Sequence, residues 1–231
     1  MTAGVAPSWA REMPEQYAVA QAAFRFLTLH VDPRVLIPRP ETEGLVDRVL
    51  EAMRGASAEG GTAIDVGTGS GAIALALASE GAFDRVIGVD VSADALDVAH
   101  ANRAAIAPEA ARRVEFRLGS YLAPVRDVRA RVIVSNPPYI AYSEAAALPA
   151  SVRDWEPPIA LFSGEDGLAA TAAIVRDAGS VLMPAGLLAL EVDERRARRV
   201  VDILAADGRY TDAEVRCDLA GRERYVLARR R

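Results

Sequence analysis

The sequence lacks several residue types on which common catalytic machineries depend. All 27 basic residues of the 231-residue chain are arginine, and the absence of lysine excludes a lysine Schiff base, a P-loop lysine and a catalytic ammonium group. Cys217 is the single cysteine, so no intrachain disulfide can form and a reducing compartment is expected. His30 and His100 are too few and too widely spaced to build a zinc site or a histidine-dependent triad. We therefore expect no metal centre.

Long apolar segments and excess positive charge are absent as well. No stretch approaches the ~20 apolar residues of a membrane-spanning helix, and the first residues lack the pattern of a signal peptide. The net charge of −5 and the pI near 5.2 disfavour a broad phosphate-binding surface. These features predict a cytoplasmic protein that does not contact membranes and does not take nucleic acid as its direct substrate. A monomer is expected.

The length and the high apolar content favour one α/β domain preceded by an appendage. Residues 1–12 are expected to be poorly ordered. Apolar spacing predicts a short helix over Pro14–Leu29, and interleaved prolines predict extended chain or a hairpin arm over Val31–Pro40. Thr42 is the expected N-cap of the next helix, which Gly55 and the Gly60-Gly61 pair would end.

We divide the chain into this appendage, residues 1–55, and a catalytic domain, residues 56–231. In the second part short apolar strands alternate with helices, which predicts a doubly wound sheet. The expected strands are Thr62–Val66, Arg85–Val89, Val114–Leu118, Ala130–Ser135, Gly186–Val192, Ala213–Cys217 and Arg224–Ala228. The expected helices are Gly71–Ser79, Ala93–Ala107, Leu168–Ala178 and Glu194–Ala206. The last two strands are too close in sequence for a helical crossover and should be antiparallel.

A glycine-rich segment, Asp65-Val66-Gly67-Thr68-Gly69-Ser70-Gly71, joins the first of these strands to its helix. Glycines permit a sharp turn and close approach of a ligand to the helix N-terminus, while Asp90 ends the next strand where a carboxylate can bind ribose hydroxyls. Asp65 suits either an ammonium group or the backbone of the loop. An amino acid joined to a nucleoside matches these groups, and S-adenosylmethionine is such a ligand.

Two other interpretations of the glycine-rich segment stay open. It can be a turn needed only for tight packing, and Gly67-x-Gly69-x-x-Ala72 also satisfies the dinucleotide pattern of NAD-binding proteins. The further glycine at Gly71, the antiparallel end of the sheet and the lack of evident hydride-transfer residues argue against NAD.

The segment Asn136-Pro137-Pro138-Tyr139 follows the apolar strand that ends at Ser135. Proline fixes the backbone and removes N–H donors, so this turn offers acceptors: the Asn136 side-chain oxygen and the Pro137 carbonyl. Together they can accept both hydrogens of a substrate –NH₂ group, while the Tyr139 ring can lie on the planar group that carries it. The alternative is an ordinary turn after a buried strand.

These segments resemble the protein-(glutamine-N5) methyltransferases of the HemK/PrmC type, which modify peptide chain release factors. The similarity covers about residues 30–231 and includes Leu36–Glu43, Asp65–Gly71, Asp90, Asn136–Tyr139 and Arg153–Gly167. The Asn-Pro-Pro-Tyr segment is shared with amino-methyltransferases acting on DNA, rRNA and tRNA, whereas the Pro38–Glu43 string is narrower. The resemblance implies a class I S-adenosylmethionine-dependent methyltransferase with a Rossmann-like α/β fold and a mostly parallel seven-stranded sheet.

The resemblance also implies roles for individual residues. Cofactor contacts are implied for Asp65, Gly67, Thr68, Gly69, Ser70, Gly71, Asp90, Tyr121 and Asn136. Glutamine-binding or catalytic roles are implied for Asn136, Pro137, Pro138 and Tyr139, and a substrate pocket is implied for Arg39, Pro40, Glu41, Thr42 and Glu156. The sequence departs from the family at Ser120, where an aspartate is common, and around Glu191-Val192-Asp193, where Glu191 alone matches. Only a short lead precedes Pro38, where members usually carry a helical substrate-docking domain.

The expected reaction is N5-methylation of the Gly-Gly-Gln glutamine of a release factor. Alternatives are methylation of an exocyclic amine of adenine or guanine, methylation of a glutamine in another protein such as a ribosomal one, and a non-catalytic cofactor-binding module. Arg153 and Glu156 are expected either to close a lid over the glutamine or to pair with each other in a surface loop.

Overall fold

The computed structural model describes residues 13–54 and 60–231. This part of the chain forms a two-stranded and a seven-stranded sheet, and helices pack on both faces of the larger sheet. Its strands are β1 (Gln21–Phe24), β2 (Leu27–His30), β3 (Thr62–Val66), β4 (Arg85–Asp90), β5 (Val114–Leu118), β6 (Ala130–Ser135), β7 (Leu182–Glu191), β8 (Tyr210–Cys217) and β9 (Glu223–Arg230). Its α-helices are α1 (Glu15–Ala18), α2 (Pro40–Met53), α3 (Ala72–Glu80), α4 (Ala93–Ala105), α5 (Pro108–Ala111), α6 (Ala150–Arg153), α7 (Pro158–Leu161), α8 (Ala169–Val181) and α9 (Ala197–Asp207).

The larger sheet has the strand order β5-β4-β3-β6-β7-β9-β8. Strands β3 to β7 are parallel, whereas β9 runs antiparallel to both β7 and β8. The order reverses at β3, which pairs with β4 on one side and β6 on the other. Ligands of open α/β sheets bind beyond the carboxyl ends of the strands at such a reversal. The predicted fold, a mostly parallel seven-stranded sheet with a C-terminal antiparallel pair, is confirmed.

Apolar side chains cover both faces of the sheet. Along β6, Val132 and Val134 face α2 and α3, while Ile133 faces α8 and α9. Successive residues of a strand point to opposite faces, so a strand buried on both faces is apolar throughout. Each such aliphatic side chain contributes about 1.5–3 kcal/mol by leaving water. The sheet is therefore a rigid platform for the segments at its carboxyl edge.

The helix predicted over Pro14–Leu29 is wrong. Only α1 is helical there, and the chain continues as the β1–β2 hairpin. Ala20 has a φ of 54°, which ends the helix, and Arg25 has a φ of 53° at the hairpin turn. Arg25 also binds Glu80 through two hydrogen bonds of 2.7 Å each. These contacts with distant residues override the helical spacing of the apolar side chains.

The start of α2 also differs from the prediction. The helix begins at Pro40, a favourable first residue because the first helical N–H groups have no partner in the helix. Thr42 thus lies inside the first turn and is not the N-cap, and its side chain binds elsewhere. Before α2, Val31, Val35 and Ile37 are buried in an extended arm that is not part of a hairpin. The predicted stop at Gly55, the domain boundary at 55–56 and the behaviour of residues 1–12 lie outside the described residues.

Several element boundaries shift by a few residues. The helix expected over Ala93–Ala107 ends at Ala105, and a separate turn, α5, begins at Pro108. Strand β7 begins at Leu182, before the predicted Gly186, because an irregularity in its pairing with β6 accommodates Met183–Gly186. Across the part of the chain that the structure describes, every helix is too short or too polar to span a bilayer.

Candidate active site

Four chemically distinct residues follow one aligned row of the sheet. Val66 is paired with Val89 on one side and Ser135 on the other, and Ser135 is paired with Leu190. The next residues along these parallel strands are Gly67, Asp90, Asn136 and Glu191. The Ser135 hydroxyl donates to the Val66 carbonyl at 2.6 Å and joins the two central strands at this edge. The register therefore brings the glycine-rich loop and the Asn-Pro-Pro-Tyr turn together.

The glycine-rich loop is bound to the end of β4 by its own amides. Gly67 and Thr68 both donate to the Val89 carbonyl, and Gly69 donates to Asp90 Oδ2 at 2.8 Å. Gly67 and Gly69 have φ values of 73° and 53°, which favour glycine. A Cβ atom added at either glycine would meet no atom within 4 Å, so both positions face open space. The glycines leave room for a ligand against the backbone.

Asp65 supports this loop through hydrogen bonds to its residues and to the helix that follows. Its carboxyl group is fully buried and accepts hydrogen bonds from the Thr68 hydroxyl at 2.6 Å and the Ala74 amide at 3.1 Å. Burial raises the pKa of Asp65 to about 7, although these two hydrogen bonds oppose the shift. Of the two roles expected for Asp65, support of the loop backbone is the one these hydrogen bonds favour. Its Oδ1 atom has no hydrogen-bond partner among the described residues.

Asp90 is fixed at the ligand side of the loop. Its two carboxylate oxygens accept from the amides of Gly69 and Ser92, at 2.8 and 3.0 Å. Burial raises the pKa of Asp90, and the backbone hydrogen bonds counter that shift. Because each carboxylate oxygen has two acceptor sites, both can still accept from a pair of ligand hydroxyls.

A cavity of about 490 Å³ lies over this edge of the sheet. Of the predicted site residues, its walls include Gly67, Gly69, Asp90, Tyr121, Asn136, Pro137 and Pro138. The remaining predicted residues, among those the structure describes, lie outside these walls: Arg39, Pro40, Glu41, Thr42, Asp65, Thr68, Ser70, Gly71, Tyr139 and Glu156. Ser120 also lines the cavity, beside Tyr121.

The expected cofactor, S-adenosylmethionine, fits this cavity. The volume lies in the range of small-molecule sites, about 300–1,000 Å³, the two glycines leave space along one wall, and the Asp90 carboxylate also lines the cavity. Thr68, Ser70 and Gly71 do not line the cavity: Thr68 binds Asp65, the Ser70 carbonyl accepts from the buried side chain of Asn102, and Gly71 is the left-handed N-cap of α3. The sequence did not single out Asn102, which also binds both the amide and the carbonyl of His30.

Asn136 is oriented by a side chain from α2. Its Nδ2 donates to Thr42 Oγ1 at 3.0 Å, and Thr42 Oγ1 donates to Glu191 Oε2 at 2.8 Å. Neither Asn136 Oδ1 nor the Pro137 carbonyl takes part in a hydrogen bond within residues 13–54 and 60–231. Both acceptors that the sequence predicted are thus available beside the cavity.

Glu191 ends β7 and is 1% exposed. Burial raises its pKa to about 7, opposed by the hydrogen bond from Thr42 and by the charges of Arg224 and Arg39. The sequence marked Glu191 as a family match but assigned it no role; an acidic residue at the end of a buried strand was the available signal. Tyr139 lies on this side, where burial and the charge of Glu191 raise its pKa to about 12.

An ion pair joins two segments that border the site. Arg39 Nη2 donates to both oxygens of Glu156, at 2.5 and 2.7 Å, and the Glu156 side chain is 1% exposed. Burial raises the pKa of Glu156, and Arg39 counters it. Glu156 thus pairs with Arg39, while Arg153 forms an ion pair with Asp154. Glu41 lies toward β9, where its carbonyl accepts from Tyr225 and its carboxylate pairs with Arg222.

Comparisons with known proteins give one consistent result. A family model described as a methyltransferase small domain matches residues 45–150. The chain is 43% identical to a release factor glutamine methyltransferase of Moorella thermoacetica, over 94% of this chain and 75% of that protein. It is also 43% identical to one of Gloeobacter violaceus, over 93% and 74%. A solved methyltransferase structure from Pyrococcus furiosus superimposes with a TM-score of 0.65 at 18% identity, covering 96% of this chain and 97% of that one.

Proposed function

Since the chain belongs to the family of release factor glutamine methyltransferases, we propose that it transfers a methyl group from S-adenosylmethionine to the N5 nitrogen of a glutamine in a peptide chain release factor. The target is the glutamine of the Gly-Gly-Gln loop. The family, the fold and the cavity agree with an enzyme that uses S-adenosylmethionine. The roles of individual residues given below are part of the proposal.

The cofactor half of the site would be formed by residues following β3, β4 and β5. Gly67 and Gly69 would accommodate the amino-acid part, Asp90 would accept from the ribose hydroxyls, and Tyr121 would pack on the adenine. When bound, S-adenosylmethionine supplies an electrophilic methyl group on a sulfonium. Because Asp90 is itself fixed by two backbone amides, little ordering of this side chain is needed on binding.

The glutamine nitrogen is a poor nucleophile because its lone pair is delocalised into the carbonyl. Asn136 Oδ1 and the Pro137 carbonyl would accept its two hydrogens and direct its lone pair toward the methyl carbon. As the nitrogen takes the methyl group, the sulfur would leave as a neutral thioether and positive charge would grow on the nitrogen, which would then lose one of its two protons to water. Both hydrogen bonds strengthen at that stage, so they stabilise the transition state more than the ground state.

One observation carries this function: the Asn136 side chain has its nitrogen bound to Thr42 and its oxygen available beside the cavity. An amide held in this way offers an acceptor to an –NH₂ group. The register of β3 and β6 supports a short separation between this acceptor and the glycine-rich loop, because neighbouring strands lie about 4.8 Å apart.

The proposal includes partners and location. A release factor acts on ribosomes, so we expect the enzyme to work in the cytoplasm, and we expect it to act as a monomer. The net charge of −5 argues against a nucleic-acid substrate, which requires a positively charged groove.

The test is a label-transfer assay with the purified protein and radiolabelled S-adenosylmethionine. Parallel reactions contain a release factor, the same factor with its Gly-Gly-Gln glutamine replaced by glutamate, total RNA, or DNA. We expect label in the first reaction alone. Label in RNA or DNA alone would assign the site to a nucleobase amine, and equal label in both release-factor forms would place the methyl group elsewhere.

A further inference from the structure

A chain of two hydrogen bonds connects Asn136 to the buried acid at the end of β7. It runs from Asn136 Nδ2 through Thr42 Oγ1 to Glu191 Oε2, with lengths of 3.0 and 2.8 Å. Its members come from three separate segments: Thr42 is 94 residues from Asn136 and 149 residues from Glu191. Thr42 and Glu191 are both buried, and neither belongs to the walls of the central cavity.

The chemistry of the three groups fixes the direction of this chain. An ionised carboxylate only accepts hydrogen bonds, and a hydroxyl has a single proton to donate. Once the Thr42 hydroxyl donates its hydrogen bond to Glu191, the Thr42 oxygen can only accept a hydrogen bond from Asn136. The amide nitrogen of Asn136 must then face Thr42, and Oδ1 must face the cavity.

We propose that Glu191, acting through Thr42, is a positioning residue that holds the Asn136 amide with its oxygen toward the substrate nitrogen. This inference rests on the proposed function. If the amide were rotated by 180°, its –NH₂ group would meet the –NH₂ group of the glutamine, and two donors would face each other without an acceptor. A protonated Glu191 permits that rotation, because it can donate to Thr42, whose proton is then available to Asn136 Oδ1.

The charged and titratable groups around Glu191 come from every neighbouring segment. Arg39 and Glu41 approach from the start of α2, Tyr139 from the turn after β6, and Arg224 and Tyr225 from β9, while Asp193 follows Glu191 on its own segment. Burial and Glu41 favour the neutral acid, whereas Thr42, Arg224 and Arg39 favour the carboxylate. With a pKa of about 7, Glu191 changes its charge near neutrality. Above that pH the carboxylate allows only the competent amide orientation, and below it both orientations become accessible.

The first test observes the amide directly and needs no substrate. The chain has only two asparagines, Asn102 and Asn136, so protein labelled with ¹⁵N-asparagine gives two side-chain –NH₂ signals, which Asn136→Ala assigns. We expect the Asn136 signals to shift with a midpoint near pH 7 in the wild-type protein. The shift should be absent in Glu191→Gln, while the Asn102 signals coincide in both proteins at any one pH.

The second test measures turnover at saturating S-adenosylmethionine. Thr42→Val keeps the shape but removes both hydrogen bonds, and we expect kcat to fall at least tenfold with an unchanged cofactor Kd. Thr42→Ser keeps the hydroxyl and should stay within about threefold of wild type, and Thr28→Val, an exposed β2 position, is the matched control. In the wild type kcat should rise with pH through about 7, and this rise should be lost in Glu191→Gln.

The outcomes separate the inference from the proposed function. An Asn136 signal that does not follow pH, or that titrates equally in Glu191→Gln, overturns the inference even if release factor is methylated. Equal kcat for Thr42→Val and wild type also overturns it. If the wild-type protein shows the expected amide titration but methylates no release factor, the positioning role is retained and the proposed substrate is rejected. If Thr42→Val does not fold, the Glu191→Gln titration decides.

Discussion

The two halves of the proposed active site are built by different kinds of contact. The proposed cofactor half is held locally: the Gly67 and Thr68 amides bind the Val89 carbonyl and the Gly69 amide binds the Asp90 carboxylate, all between two consecutive strands of the chain. The substrate half is held by distant side chains, since Asn136 depends on Thr42 and Glu191. The local contacts of the cofactor half form together with one strand–loop–helix unit. The contacts of the substrate half exist only when the whole domain is folded. Substitutions in the two halves should therefore affect different steps.

The largest effect is expected from Asn136→Ala, which removes an acceptor at the reacting nitrogen. Loss of one such group lowers kcat by about 10²–10³-fold in other enzymes. We expect that loss here with little change in the Kd for S-adenosylmethionine, because Asn136 acts on the nucleophile. Single-turnover kinetics and calorimetry measure the two quantities. An equal loss of cofactor affinity would remove the distinction between the two halves.

A smaller effect, on cofactor affinity and not on turnover, is expected from Asp90→Ala. Hydrogen bonds to a charged group are worth about 1.5–3 kcal/mol, which corresponds to a loss of affinity of about tenfold to a hundredfold. We expect the Kd for S-adenosylmethionine to rise by this factor while kcat at saturation changes little. Asp94→Ala is the matched control, since Asp94 is an exposed acid in the first turn of α4. Unchanged affinity in Asp90→Ala would reject the ribose contact.

The smallest effect is expected from Glu156→Gln, which weakens the ion pair with Arg39 but leaves both reacting groups in place. Because Glu156 is buried, we expect the free energy of unfolding to fall by about 1–3 kcal/mol. The KM for the protein substrate should rise, and kcat should change less than in Asn136→Ala. Denaturant unfolding and steady-state kinetics measure these changes, with the exposed Glu165→Gln as control. A loss of kcat as large as that of Asn136→Ala would make Glu156 a direct substrate contact.

The sequence predicted the central part of the fold well because local pattern and tertiary structure agree there. The strands Thr62–Val66, Val114–Leu118 and Ala130–Ser135 have the predicted bounds. The first and the last are mostly apolar and buried in the centre of the sheet, whereas Val114–Leu118 alternates apolar and charged residues at its edge. The segment Pro14–Leu29 was predicted wrongly because its hairpin is stabilised by Arg25 binding Glu80 and His30 pairing with Asn102, contacts that apolar spacing does not reveal. Propensity is overridden where distant partners decide the conformation.

The residues that line the cavity were predictable to an extent similar to that of the central strands. The cavity contains Gly67, Gly69, Asp90 and Asn136 as expected, because a strand followed by a distinctive loop locates each of them. The orientation of Asn136 was not predictable, since it depends on Thr42, for which the sequence indicated a capping role and the resemblance a place in the substrate pocket. Arg39 and Glu156 were both expected at the pocket, but only the structure pairs them with each other.

The hydrogen bond from Ser135 to the Val66 carbonyl has a consequence for substrate choice. It joins two neighbouring strands and so helps to fix the spacing between the loop after β3 and the turn after β6, where the proposed methyl donor and methyl acceptor would bind. Tyr142 and Ile159 are both exposed at the rim of the cavity, and neither belongs to these two strands. Substitution of these two rim residues would therefore change the entrance to the cavity while the spacing between the two strands is preserved.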